Sequence, residues 1–231
     1  MLRAWVKMAA AALAAGVALT ACGPVKMGAA AVLNDQRISA STLAAQVANL
    51  NRGYQRYKAT ITLQYPVSQM PQQVLGWLIR FRVRDELAAA QGIRVTPAQV
   101  QHALAQLTSQ AQGSPGGSSA SLAQLAVANG LPPDELTALA RYQAIQTVLV
   151  NRLDGGKLPT SNTALQALGK QFNSAECRAA KKLDITINPQ YGRLDYAQYS
   201  IVPAPSTLSA TGSSPAPAAS PSAKPQLTPA C

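Results

Sequence analysis

Residues 72–92 read QQVLGWLIRFRVRDELAAAQG, and this stretch carries the most informative pattern of the chain. Apolar side chains recur at i, i+4, i+8 and i+12, which places them on one face of a helix. They are Leu75, Ile79, Val83 and Leu87, and an adjoining sector adds Val74, Trp77, Leu78 and Phe81. A helix that is apolar over so wide an arc needs packing partners on two sides. We therefore expect a central helix that ends at Gly92 and is covered by other helices.

Helices are predicted before and after this central one. The start of the preceding helix can be capped by Ser39 or Ser41, and the following helix begins at Thr96 with Pro97 in its first position. Their apolar faces are formed by Leu43, Val47 and Leu50 and by Val100, Leu104 and Leu107, respectively. Further helices are expected at about 120–129, 133–152, 161–172 and 175–183.

Two short strands are predicted at the opposite ends of the helical region. The first runs from Ala30 to Leu33 and turns at Asn34-Asp35. The second alternates Leu183, Ile185 and Ile187 with polar residues before a Pro-Gln-Tyr-Gly turn. Because a strand needs a partner, we expect these two segments to pair. The predicted fold is mainly α: one helical domain, residues 29–202, with a small β pairing of its two ends.

The first residues have the pattern of a lipoprotein signal. Arg3 and Lys7 precede an apolar run at 8–21, which is shorter than the roughly 20 residues that a spanning helix needs. Leu19-Thr20-Ala21-Cys22 resembles the bacterial lipobox, in which the cysteine is lipidated and the chain is cut before it. A plain secretory signal with a chance cysteine is the alternative. We predict a signal peptide at 1–21, a lipid on Cys22 and a tether at 22–28, on the extracytoplasmic face of the membrane.

Two segments have the composition of unstructured chain. Residues 203–231 hold seven prolines, seven alanines and six serines, with Lys224 as the single charged side chain. Such a segment cannot bury enough apolar surface to offset the entropy of ordering it, so we expect a disordered C-terminal tail. The stretch QGSPGGSSAS at 112–121 is predicted to be a flexible loop between helices.

Charge and cysteine content indicate which kinds of partner and binding site the protein can have. The formal net charge is +11, or +9 without Arg3 and Lys7, and it suits anionic headgroups or anionic wall polymers better than nucleic acid because the basic residues are scattered. Besides Cys22 there are only Cys177 and Cys231, which could form a disulfide or remain thiols. With one histidine and no CxxC motif, neither a metal site nor a cofactor site is predicted.

No catalytic constellation is evident. His102 is the single histidine, and on a helix rich in glutamine it is expected to be a solvated surface residue rather than part of a hydrolase triad. The adjacent Asp85 and Glu86 point about 100° apart on a helix, and Arg82 is placed to pair with Glu86 at i+4. We therefore predict that the protein is not an enzyme.

Three segments carry a family resemblance. They are AAVLNDQRISASTL at 30–43, LGWLIRFRVRDELAAAQGIRVTPAQVQHAL at 75–104 and INPQYGRLD at 187–195. They resemble the N-terminal domain of SurA-type chaperones, especially the SurA-like lipoproteins of actinobacteria, with Asn34-Asp35 in place of the usual Asn-Gly. Fuller members insert a parvulin prolyl isomerase domain before the last helix. Residues 111–183 lack such a strand pattern, and the single His102 cannot supply that active site's histidine pair, so no isomerase activity is expected.

The resemblance implies a module that holds unfolded or partly folded exported polypeptides. We predict a binding groove lined by aromatic and long apolar side chains, namely Tyr54, Tyr57, Trp77, Leu78 and Phe81. The competing interpretation of these side chains is ordinary core packing. The competing function is a passive envelope adaptor that docks one partner or an anionic wall polymer through its basic face.

Overall fold

The structure is a computed structural model that describes residues 28–113, 121–156, 161–196 and 200–202. The predicted signal peptide, the lipidation site Cys22, most of the tether and the tail at 203–231 lie outside the described residues. So does most of the predicted loop at 112–121. Within the described ranges, no helix is both long and apolar enough to cross a membrane.

The two ends of the domain meet in a small antiparallel sheet, as the sequence predicts. Strand β1 (Ala29–Leu33) occupies the centre, with β2 (Gln36–Ser39) on one side and β3 (Ile185–Ile187) on the other. Val32 lies opposite Thr186, and the backbone N–H of Asn34 donates to the carbonyl of Leu183 at 2.7 Å. The sequence prediction missed β2, which forms a hairpin with β1 because Asn34 adopts the left-handed conformation (φ 52°).

Six helices make up most of the described chain, and the predicted caps are present. The helices are α1 (Ala40–Tyr57), α2 (Met70–Ala90), α3 (Pro97–Gln112), α4 (Leu122–Ala128), α5 (Leu136–Leu153) and α6 (Asn162–Lys182). The Ser39 hydroxyl accepts from the backbone N–H of Thr42 at the start of α1. Thr96 and Gln99 form a reciprocal capping box at the start of α3, with Pro97 at its first position.

Helix α2 is the central element, as its wide apolar arc predicts. Leu75, Ile79, Val83 and Leu87 are all buried, and so is Val74 on the adjoining sector. The helix packs against α1 on one side and against α5 and α6 on the other. Chain reversal after α2 uses Gly92 at φ 60°, and the next backbone N–H, that of Ile93, donates to the carbonyl of Ala88.

Near the C-terminal end of the domain, one sequence prediction was wrong and one element was missed. Residues 161–172 and 175–183 form one continuous helix, α6, rather than two, since Asn173 and Ser174 are accommodated within it. The turn at Pro189–Tyr191 is followed by strand β4 (Arg193–Asp195), which pairs with β5 (Ser200–Val202), a second sheet that the sequence analysis did not predict. Each of these strands has three residues, too few to show a periodic pattern.

Candidate functional site

An uncharged groove of about 550 Å³ lies between α1, the segment that begins α2, and the turn before β4. Helix α1 contributes a stripe of small and apolar side chains that includes Val47 and Ala48. Val67 and Met70 come from the entry to α2, and Tyr191 comes from the far end of the domain. Val67 is 52% exposed, an unusual value for a large apolar side chain. The groove can therefore accept an apolar chain segment without removing any charge from water.

The groove exists because the β-sheet ties the two ends of the domain together. Pairing of β1 with β3 carries the chain to the turn at Pro189–Tyr191, and Gly192 lets it reverse there with φ 117°. The side chain of Asn188 accepts from the backbone N–H of Gln190 and donates to the carbonyl of Ala29, which fixes the turn against the sheet. Tyr191 is thereby held against the face of α1.

The structure does not bring the five predicted binding residues to one groove. Leu78 and Phe81 line a separate cavity of about 280 Å³. Trp77 packs against Phe81 with the two rings tilted by 37° and 5.8 Å between their centroids, and its indole N–H donates to the carbonyl of Asn129. Tyr54 and Tyr57 are half-buried and pack on the main core from the end of α1. The assignment of these five residues to polypeptide binding remains a prediction.

The cavity at Leu78 and Phe81 differs in character from the groove. Its wall includes the charged side chains of Arg82, Asp85 and Glu135. Burial, and next the neighbouring Asp134, raise the pKa of the Glu135 carboxyl above its usual value. Such a mixed lining suits a polar or charged ligand segment better than an apolar one.

Aromatic side chains also hold the short helix α4 in place. The Tyr65 hydroxyl donates to the carbonyl of Val127 at 3.2 Å, two residues before the carbonyl that accepts from Trp77. Burial, with a smaller contribution from Tyr54, raises the pKa of Tyr65 to about 12. Tyr65 and Trp77 thus hold α4 and its C-terminal end in place. The polar edge of each ring is directed towards a backbone carbonyl of this segment.

Two of the three arginines of α2 contact side chains within the domain. Arg84 is 1% exposed and pairs with Glu176 of α6 at 2.6 Å. Its guanidinium lies 3.6 Å from the centroid of the Tyr142 ring, and that of Arg80 lies 5.0 Å from the Trp77 centroid. Arg82 is exposed. The sequence cluster Arg80, Arg82 and Arg84 is therefore not a continuous basic surface.

The acidic pair on α2 also differs from the prediction. Glu86 pairs with Lys182 of α6 at 2.8 Å rather than with Arg82, and Asp85 pairs with Arg141 of α5 at 2.9 Å. The i+4 rule considers one helix at a time, whereas here the neighbouring helices supply the cations. Both carboxylates therefore serve to join helices.

His102 is exposed on α3, as predicted. It lines a cavity of about 310 Å³ between α3 and α5 together with Gln99, Gln106 and Thr147. None of the described residues that line this cavity is a serine, a cysteine or a carboxylate. In the described part of the chain, no three His, Cys, Asp or Glu side chains lie close enough together to hold a metal ion.

Cys177 lies on α6 and is disulfide-bonded. Its side chain is buried, with 8% exposure. The other two cysteines of the chain, Cys22 and Cys231, lie outside the described residues.

The groove at Val47 was missed by sequence reasoning, although one signal was present. Ala44, Val47, Ala48 and Asn51 follow the i, i+3, i+4, i+7 spacing of a helix face. This stripe runs beside the buried Leu43 and Leu50, and its small side chains leave room above the backbone. The participation of Val67 and Tyr191 depends on the tertiary fold and has no sequence signal.

Comparison with known proteins gives a family match. The family model of the SurA-like N-terminal domain matches residues 2–150, and no parvulin family is detected in the chain. No curated protein and no solved structure matches the chain. The family model covers more than half of the chain, and the domain that it describes is of a chaperone type and is non-catalytic. The chain belongs to the family of SurA-like N-terminal domains.

Proposed function

We propose that this protein is a membrane-anchored, extracytoplasmic lipoprotein that binds unfolded or partly folded exported polypeptides and has no isomerase activity. Two observations support the proposal: membership of a chaperone-type family and the uncharged groove between α1 and the start of α2. The groove carries the argument, because an extended apolar segment of an unfolded chain is what such a lining accepts. A surface that binds many clients should rely on apolar contact rather than on specific charges.

The predicted residues Trp77, Leu78 and Phe81 form a second candidate contact for clients. They are half-buried rather than fully buried, so part of each side chain is accessible to a ligand. Their neighbours Arg82, Asp85 and Glu135 would select client segments that carry charge. We place the main apolar contact at the groove and assign this aromatic surface a supporting role.

Introducing a charge into the groove should weaken client binding. Ala48 and Ala45 are both exposed alanines on α1, but only Ala48 lines the groove. Ala48→Glu is expected to suppress the aggregation of a refolding client less well, so that about tenfold more of this variant is needed for the same suppression. The reason is that a carboxylate must be desolvated beneath the bound chain. The measurement is light scattering from the refolding client over a titration of each variant.

Ala45→Glu is the matched control, with the same substitution on the same helix outside the groove, and it should retain wild-type suppression. Equal loss in both variants would point to a charge effect on the whole helix instead. Wild-type suppression by Ala48→Glu would remove the groove from the proposal.

The membrane anchor is a separate element of the proposal with its own test. The lipobox-like Leu19-Thr20-Ala21-Cys22 predicts that Cys22 carries diacylglycerol, and acyl chains contribute about 0.8 kcal/mol per buried CH₂. In intact cells, radiolabelled palmitate should appear on the wild-type protein and not on Cys22→Ser. Label on both proteins, or on neither, would contradict the anchor.

The adaptor function is retained as a second candidate because of one surface. Arg52, Arg56 and Lys58 are all exposed at the end of α1. A cluster of this kind can dock an anionic wall polymer, and such binding would weaken steeply with salt. Binding to unfolded chains that survives high salt favours the chaperone, whereas salt-sensitive binding to an acidic polymer favours the adaptor.

A further inference from the structure

The groove is suited to an uncharged occupant. Its lining is made of apolar side chains with one amide, Asn51, and one hydroxyl, Ser68, in addition to the phenol of Tyr191. None of the described lining residues carries a charge. The protein as a whole is strongly basic, so an uncharged surface of this size stands apart from its surroundings.

The described chain leaves the domain beside this groove. Val202, the last described residue, pairs with Arg193 in the β4–β5 sheet. The backbone there is closely packed: a Cβ atom added to Gly192 would lie 2.2 Å from the carbonyl oxygen of Val202. Tyr191, the residue before Gly192, forms part of the groove wall. The described chain therefore ends, at Val202, close to the groove wall.

The segment that follows Val202 in the sequence is uncharged, as the groove is. Residues 203–217 read PAPSTLSATGSSPAP and contain no charged side chain. Leu208 is the first large apolar residue after Val202. At roughly 3.1 Å per residue in a polyproline II conformation, Leu208 can reach about 19 Å from Val202. Proline-rich segments of this type dock into aromatic-lined apolar grooves with little loss of conformational entropy, because their conformation is already restricted.

We propose that residues 203–217 bind back into the groove between α1 and the start of α2 and compete there with client polypeptide. The inference rests on the proposed function only in taking the competing ligand to be a client polypeptide. A covalently linked segment has an effective concentration in the millimolar range. Even weak contacts of the tail then compete with poor ligands for the groove, while a client with a strong apolar segment displaces the tail.

Met70 provides a direct probe of occupancy, because it lines the groove and Met27 is the only other methionine after the predicted signal peptide. We would label methionine methyl groups with ¹³C in residues 22–231 carrying Cys22→Ser and Cys231→Ser, so that the disulfide of Cys177 is absent from every form that is compared. Deleting residues 203–231 from this background should shift the Met70 methyl resonance. Leu208→Asp in the intact tail should shift it in the same direction, and Leu227→Asp, the matched control, should not.

A synthetic peptide of residues 203–217 added to the deleted form should restore the resonance saturably. An unchanged Met70 resonance on deletion, in protein shown to be folded by circular dichroism, overturns the proposal. A shift that depends on protein concentration also overturns it, by assigning the groove to a second copy of the chain.

The client assay separates this proposal from the proposed function. Deletion of the tail should lower the Kd for a fluorescent apolar peptide by about tenfold, the ratio of an effective concentration of about 1 mM to a tail Kd of about 0.1 mM. If Met70 reports docking but no client binds either form, self-docking stands and the chaperone function fails. If clients bind both forms equally and Met70 is unchanged, the chaperone function stands and self-docking fails.

Discussion

Replacing Arg84 by alanine is expected to lower the free energy of unfolding by about 3–5 kcal/mol. The guanidinium is almost fully buried and bonds to one carboxylate oxygen of Glu176 through two nitrogens, at 2.9 Å and 2.6 Å. It also donates to the carbonyl of Tyr142 and lies over the rings of Tyr142 and Phe172. Removing it leaves a carboxylate between helices without its cation. The free energy of unfolding, measured by urea denaturation, tests this prediction.

Arg141→Ala is the matched control. Arg141 of α5 pairs with Asp85 of α2, so this is also an arginine–carboxylate pair between α2 and a neighbouring helix, but it lies at the surface. The two side chains are 48% and 42% exposed, so we expect a loss of less than about 1 kcal/mol. If Arg84→Ala costs no more than Arg141→Ala, then Arg84 does not join α2, α5 and α6 as described.

A double variant separates the value of the pair from the cost of an uncompensated charge. Arg84→Met with Glu176→Leu replaces both ions by apolar side chains of similar length. Buried ion pairs exchanged in this way are often close to neutral in stability. We expect the double variant to be more stable than Arg84→Ala by at least about 2 kcal/mol in the same denaturation experiment.

Gly192→Ala should have the second large effect, and it acts on the wall of the groove. Gly192 has φ 117° and ψ −153°, a conformation essentially restricted to glycine that costs other residues about 1–3 kcal/mol. The added Cβ atom would also meet the carbonyl oxygen and carbon of Val202 at 2.2 Å and 3.1 Å. Since the backbone cannot yield as a flexible side chain would, we expect loss of the β4–β5 pairing and a total loss of stability above about 3 kcal/mol.

Gly92→Ala isolates the conformational part of that cost. Gly92 has φ 60°, and nothing lies within 4 Å of an added Cβ atom. We therefore expect a loss of about 1 kcal/mol there. Hydrogen exchange of the β5 amides should accelerate in Gly192→Ala and stay unchanged in Gly92→Ala. Unchanged β5 protection in Gly192→Ala would contradict the described approach of the two strands.

The main elements of the fold were predictable because their determinants are local or periodic. The apolar positions of α2 recur every four residues, and the caps at Ser39 and Thr96 act on backbone groups three residues away. The pairing of β1 with β3 followed from a simple requirement, that two lone strands in a helical domain need partners. No periodic pattern marks the three-residue strands β4 and β5, so their position depends on Gly192 and on the tertiary structure.

Side-chain roles were less predictable than helices. In sequence, Arg80, Arg82 and Arg84 look alike, and only the position of α5 and α6 decides that Arg84 is buried while Arg82 is exposed. The groove brings together residues as distant in sequence as Val47 and Tyr191. A single helix stripe carries a signal for one wall of it, which the sequence analysis did not use, and no rule of spacing relates that wall to the other.

The most direct test of the account is to locate a bound client on the surface of α1. A photo-crosslinking amino acid would be placed at position 48, inside the groove, or at position 45 on the same helix outside it. Each protein would be irradiated with an unfolded exported polypeptide, and the adducts would be mapped by mass spectrometry. We predict client adducts from position 48 and few from position 45. Equal adducts from both positions, or none from position 48, would contradict it.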